Sequence, residues 1–154
     1  MDYEFELLRQ TRKLAFQLAE SLSDEQMMAI PPGFSNNLMW NMGHMVVSQQ
    51  LLCYGLSGLP MKVGDKAIAM LRKGSSPAQW TEKLPFREIK AQMLPSVEAL
   101  IADYEAGRFV NFQEYETSYG VMLNAIEDAI QFNNLHEGMH LGYILALRHA
   151  VLQK

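Results

Sequence analysis

Residues 121–152 read as one long helix, and that helix sets the terms for the rest of the chain. Within it Ile126, Ala129, Asn133, His136, His140, Ile144, Leu147 and Val151 fall inside an arc of about 80° at roughly 100° per residue. The stripe is mostly apolar, so it has to be covered by other elements. Two histidines interrupt its centre.

The covering elements are also helical. Leu7, Thr11, Leu14, Leu18 and Leu22 recur at three-to-four spacing and define the apolar stripe of a first helix. Ser23 followed by Asp24, Glu25 and Gln26 opens a short turn of helix, and Pro31-Pro32-Gly33 ends it. Ser35 and Asn36 are candidate N-caps of a second helix running to about Tyr54, where Gly55, Gly58 and Pro60 stop it. Residues 56–85 are the least regular part, with a short helix expected over Lys66 to Lys73. Pro85-Phe86 leads into a third long helix to Ala106, with Pro95 as a candidate kink. Its apolar side carries Leu94, Val97, Leu100, Ile101 and Tyr104. Residues 108–120 read as an irregular connection, or as a short extended segment.

No strand-like alternation of useful length and no internal repeat is present. The pattern predicts an all-α fold: one domain over residues 1–154, a four-helix bundle with a long crossover between helices two and three. The 154 residues suffice for a full core. The eleven methionines are expected to fill it. A net charge of −4 without a Lys/Arg stripe argues against nucleic acid as a partner. No apolar run is long enough to span a bilayer. The acidic N-terminus does not resemble an export signal, and a single cysteine, Cys53, fits a reducing cytoplasm.

His136-Glu137-Gly138-Met139-His140 matches H-E-x-x-H, in which two imidazoles one helical turn apart bind one metal and the Glu acts as general base. A zinc protease of that kind also needs a third ligand downstream. Tyr143 and Ala146 occupy the Gly and His positions of the extended motif, no Asp or Glu follows Glu137, and His149 points about 180° away from His140. The protease reading therefore fails.

The remaining histidine, His44, shares the apolar side of the second helix with Trp40, Val47 and Leu51. Cys53 lies on the opposite side, a poor position for a ligand or a nucleophile. Buried imidazoles are costly unless hydrogen-bonded or bound to metal. A shared divalent ion explains His44, His136 and His140 together, provided that helices two and four are neighbours. Glu137 is the candidate catalytic base near the ion, or else a solvated helix charge. Asn133 either bonds to a metal-bound water or caps a local bend. Trp40 and Tyr143 pack in the core or line a pocket mouth, and Arg148 reads as a surface or helix-dipole charge. Three imidazoles suit zinc, nickel, iron and copper alike.

The string LSDEQM, then Pro-x-Gly…Asn-Asn-x-x-Trp-Asn-x-Gly-His, then His-x-x-x-His-x-Gly-Tyr-Ile-x-x-Leu-Arg resembles the DinB/YfiT-like superfamily of small four-helix proteins. The resemblance implies a metal, usually nickel or zinc, on His44, His136 and His140. It also implies frequent homodimers. Some such proteins are metal-dependent transferases or isomerases that use a low-molecular-weight thiol, and many have no assigned activity. A frequent variant has Asp after the second helix-four histidine; here that position is Leu141, and Glu137 follows the first. Three neutral ligands leave a coordination position open. With a thiol there, the site suits transfer to an electrophile, and with water, hydrolysis of a small-molecule substrate. The alternatives are a stress-related metal- or ligand-binding module without turnover, and a structural protein with core histidines.

Overall fold

The computed structural model describes residues 1–82 and 86–153. The protein is mostly helical: α1 (Asp2–Glu20), α2 (Asp24–Met28), α3 (Leu38–Gln49), α4 (Asp65–Leu71), α5 (Phe86–Gln92), α6 (Pro95–Glu105) and α7 (Ile126–Leu152). The one small sheet pairs β1 (Tyr115–Glu116) with β2 (Met122–Leu123) antiparallel, Tyr115 opposite Leu123. α7 packs against both α1 and α3; α1 also touches α6, and α3 touches α2, α4 and α5. Every residue of α3 is buried, as expected for a central helix that is apolar nearly all round.

Local chemistry sets most of the boundaries. Ser23 and Gln26 form a capping box at the start of α2. The N-cap of α3 is Asn37 rather than Ser35 or Asn36: its side chain accepts from Trp40 N at 2.8 Å, and its amide donates to Met28 O. The second helix does reach the Gly55 region, but its last turn, Gln50–Gly55, is π-helical, the wide-turn form often found beside functional sites. α4 stops at Leu71 because Arg72 is extended.

The single third helix expected over Phe86–Ala106 is two helices, α5 and α6. Pro95 breaks rather than kinks it, taking the first turn of α6, where its missing N–H costs nothing. Pro85, expected to lead into α5, lies outside the described residues. The last helix starts at Ile126, not Val121, because Met122 and Leu123 pair with β1. The extended alternative for the preceding connection therefore holds locally.

The apolar stripe expected on α1 is also corrected. Leu7 and Leu14 are exposed, and the buried face is Phe5, Leu8, Arg12, Ala15 and Ala19. The face turns because Arg12 must point inward. Its guanidinium holds Glu137 of α7 in a two-pronged ion pair, Nε to Oε2 at 2.6 Å and Nη2 to Oε1 at 2.7 Å. Nη1 donates to Met93 O and Ser96 Oγ, and Nη2 to Met45 O and Gln49 Oε1. Neither side chain reaches solvent. This polar layer separates two apolar clusters, one around Phe5, Leu8, Leu100 and Ile130, the other around Ala15, Met42, Met45, Ile144 and Leu147.

Removing one member of a buried pair strands the other charge and costs about 3–5 kcal/mol. Arg12→Met should therefore destabilise the protein by about that much in urea unfolding, and adding Glu137→Met should recover a large part of the loss. A loss below about 1 kcal/mol for the single variant would show that the pair does not hold the helices.

Candidate metal centre

The same turn of α7 that sends Glu137 inward sends His136 and His140 the other way. At about 100° per residue Glu137 lies roughly 100° from one and 60° from the other, and both imidazoles emerge on the side facing α3. There they meet His44. One ligand nitrogen from each of the three lies within 4.8 Å of the others. The ring centroids are 4.5–5.1 Å apart, and His136 Nε2 is 3.2 Å from His140 Nε2. The neighbouring of helices two and four, which periodicity left open, is met.

One backbone and one side-chain acceptor fix which nitrogens face the centre. His44 Nδ1 is 2.6 Å from Leu71 O; a carbonyl only accepts, so Nδ1 carries the proton and Nε2 keeps its lone pair. Gly43 leaves room for Leu71 here. A Cβ there would sit 2.6 Å from a Leu71 methyl group, so a larger residue would have to displace the Leu71 side chain that packs against α3 beside that carbonyl. His140 Nδ1 donates to Asn41 Oδ1 at 2.8 Å. The Asn41 amide is oriented in turn by its own donation to Asn37 O at 2.8 Å. The N-cap of α3 thus sets the tautomer of a histidine on α7. Ser48 Oγ is 3.2 Å from His44 Nε2, and Trp40 stacks on the His44 ring at 4.4 Å.

Two inward lone pairs of fixed tautomer, together with a third imidazole whose Nδ1 is buried and unpartnered, form a donor set that a cation satisfies and water does so poorly. A divalent ion of the kind that prefers imidazole would fit three such nitrogens. Burial, and then the neighbouring imidazoles, push His136 down to about 4 and His140 down to about 3. Burial also lowers His44, against the opposing effect of the Leu71 hydrogen bond. All three are neutral ligands at physiological pH.

The centre lies in the wall of a cavity of about 820 Å³ that Trp40, Leu52, Tyr119, Phe132 and Tyr143 also line, a size suited to a small molecule. Tyr143 is half-exposed and edge-on to Phe34, so of its two expected places it takes the pocket mouth. Trp40 is buried and lines the pocket as well.

The other expected residues fall elsewhere. Glu137 is not a solvated charge: it is fully buried, both oxygens are taken by Arg12 and one also by Asn133 Nδ2, and it does not line the cavity. Asn133 neither faces the centre nor caps a bend, since its amide serves Glu137. Cys53 is buried, and burial raises its thiol pKa, in keeping with its exclusion as ligand and nucleophile. Arg148 reaches Ser21 Oγ, tying the end of α7 to that of α1. Sequence reasoning missed Arg12, Asn41, the Leu71 carbonyl and the aromatic hairpin. Arg12 alone left a readable signal: a charge at helical spacing between Leu8 and Ala15.

The two strongly lowered histidines tie stability to pH. The unfolded chain takes up their protons near pH 6.5 and the fold only near 4 and 3, so the unfolded state binds more protons in that window. Metal-free protein should be fully stable above pH 6.5 and lose stability as the pH falls through the window. Each histidine should contribute less than about 1.4 kcal/mol per pH unit. Urea midpoints at pH 7, 6 and 5 should show a shallower decline for a His136→Gln/His140→Gln variant.

Among the described residues no helix is long and apolar enough to cross a membrane. No curated protein matches the chain. A family description does: that of the DinB superfamily, over residues 7–144. With the three histidines of its motif brought together in space, the chain belongs to the DinB superfamily.

Proposed function

We propose that the protein is a metal-dependent enzyme acting on a small molecule in the cavity beside His44, His136 and His140. One observation carries the reading: three imidazoles converge with their outer nitrogens already committed to Leu71 O and Asn41 Oδ1 or buried, at the wall of a cavity sized for a guest. A bound divalent ion supplies a positive charge that polarises a substrate and acidifies a thiol or water reaching its open position. The chain's own residues position that ion and enclose the guest between Trp40, Phe132 and the tyrosines. Glu137, the carboxylate first considered as a base, acts as a positioning residue in this reading: clamped by Arg12, it fixes the rotation of α7. Thiol-dependent transfer is the preferred reaction and hydrolysis the next, because among the described residues no side-chain carboxylate lines the cavity to activate water.

That same lack favours the second reading, a metal- or ligand-binding module without turnover. Zinc titration of protein stripped of metal should give one equivalent per chain. His44→Ala and His140→Ala should weaken binding by more than about 100-fold, and Asn41→Ala by about 10–100-fold. Less than about a tenth of an equivalent would remove both metal readings. Turnover of model electrophiles with a panel of thiols, absent in His44→Ala, selects the enzyme; equal rates in both proteins reject it for those reactions.

We further infer that the whole chain is one four-helix domain, with α5 and α6 together as the third helix and residues 56–85 as the crossover, and that it works in the cytoplasm as a homodimer. Every exposed residue of α7 between Leu135 and Ala146 is uncharged, and Leu135, Met139, Tyr143 and Leu145 are large and apolar. Such a face favours a second copy. Sedimentation should give a dimer, and Leu145→Glu should shift it to monomer with zinc stoichiometry unchanged. A monomeric parent protein would refute the dimer.

A further inference from the structure

The cavity over the three imidazoles has a one-sided charge. Among the described residues Lys73 is the only lysine or arginine that lines it, and no Asp or Glu does, although the chain as a whole is acidic. Lys73 forms no ion pair among the described residues. The three histidines are neutral ligands, so they cancel none of the charge of an ion they hold. Much of the rest of the wall is apolar, with Leu51, Leu52, Leu56 and Phe132.

The segment bearing Lys73 is tied to the metal centre. Gly74 turns the chain at φ 86°, and the Ser75 hydroxyl, which is shared between the Met70 and Arg72 carbonyls, accepts from Trp40 Nε1 at 2.9 Å. Trp40 is the ring stacked on His44. The lysine is therefore carried on a turn anchored to the centre, and not on a free loop.

A cavity whose described lining holds one lysine, no Asp or Glu and an apolar wall disfavours cationic guests and gives neutral polar ones few partners. We propose that Lys73 is the specificity residue of this pocket and that its guest is a small molecule with an apolar or aromatic body and one anionic group, such as a carboxylate. The inference rests on reading this cavity as the small-molecule site. It adds the charge of the guest and the residue that selects it.

Calorimetric titration with 2-naphthoate and its neutral counterpart 2-naphthylmethanol tests this on wild type and Lys73→Gln, each with and without one equivalent of zinc. Lys73 is exposed, so the substitution leaves the fold intact. Zinc-free wild type should bind the carboxylate at least about 5-fold more tightly than the alcohol. Lys73→Gln should remove about 3–10-fold of the carboxylate affinity while leaving the alcohol within about 2-fold, the range of one partly solvated charge contact. Equal binding of acid and alcohol, an acid preference that survives Lys73→Gln, or no binding of either probe would overturn the inference. Zinc stoichiometry in the same samples judges the metal reading separately. Zinc uptake without a Lys73-dependent preference rejects only the present inference, and the preference without zinc uptake rejects only the metal.

Discussion

The contact between Arg12 and Glu137 constrains every other part of the molecule. A guanidinium and a carboxylate with no exposure to water are tolerated only if their hydrogen-bonding capacity is nearly all used. Arg12 meets that demand by drawing acceptors from four directions: Glu137 on α7, Met45 and Gln49 on α3, Met93 at the break before α6, and Ser96 within α6. Gln49 extends the net by donating to Ser96 O. Apolar packing alone leaves helices free to slide or rotate among arrangements of similar energy. A directional polar centre between two apolar clusters selects one of them.

The metal site depends on that selection. Histidines one helical turn apart converge on an ion only when the helix presents the right side, and Glu137, between them in sequence, fixes that side by being held on the other. α3 answers with its own polar chain from Asn37 through Asn41 to His140. α4 completes the set by pressing Leu71 against Gly43. Both helix-facing histidines thus have their outer nitrogens engaged by groups whose positions are set by the fold, an arrangement that keeps ligands pointing inward before any ion arrives.

The legible and illegible parts of the sequence divide along the same line. The histidines could be read because three imidazoles on otherwise apolar faces have few explanations, and α7 could be read because its stripe is long. The stripe of α1 was misread because Leu7, Leu14 and Leu18 outweigh Ala15 and Ala19 in any count of hydrophobicity, while the deciding residue, Arg12, belongs by type to the surface. Its spacing between Leu8 and Ala15 is a faint signal, but only its partner 125 positions away explains its burial, and the helix itself does not name that partner. The orientation of α3 was equally hidden, since a helix buried on every side has no polar face to show which way it turns. The division of α5 from α6 was suggested by Pro95, but a kink and a break differ only in tertiary packing.

H-E-x-x-H here serves a different division of labour from the one its letters suggest. In a zinc protease the Glu faces the ion's water. Here the same spacing puts the Glu in the core, because the helix is rotated to place Asn133, Glu137 and Ile144 inward together. Its charge is spent on Arg12, 2.6 Å away, and none is left for the cavity. Three neutral imidazoles with no Asp or Glu among the described lining residues would leave the positive charge of a bound ion uncancelled. The buried salt bridge thus sets the geometry of the site and keeps the Glu137 carboxylate out of it.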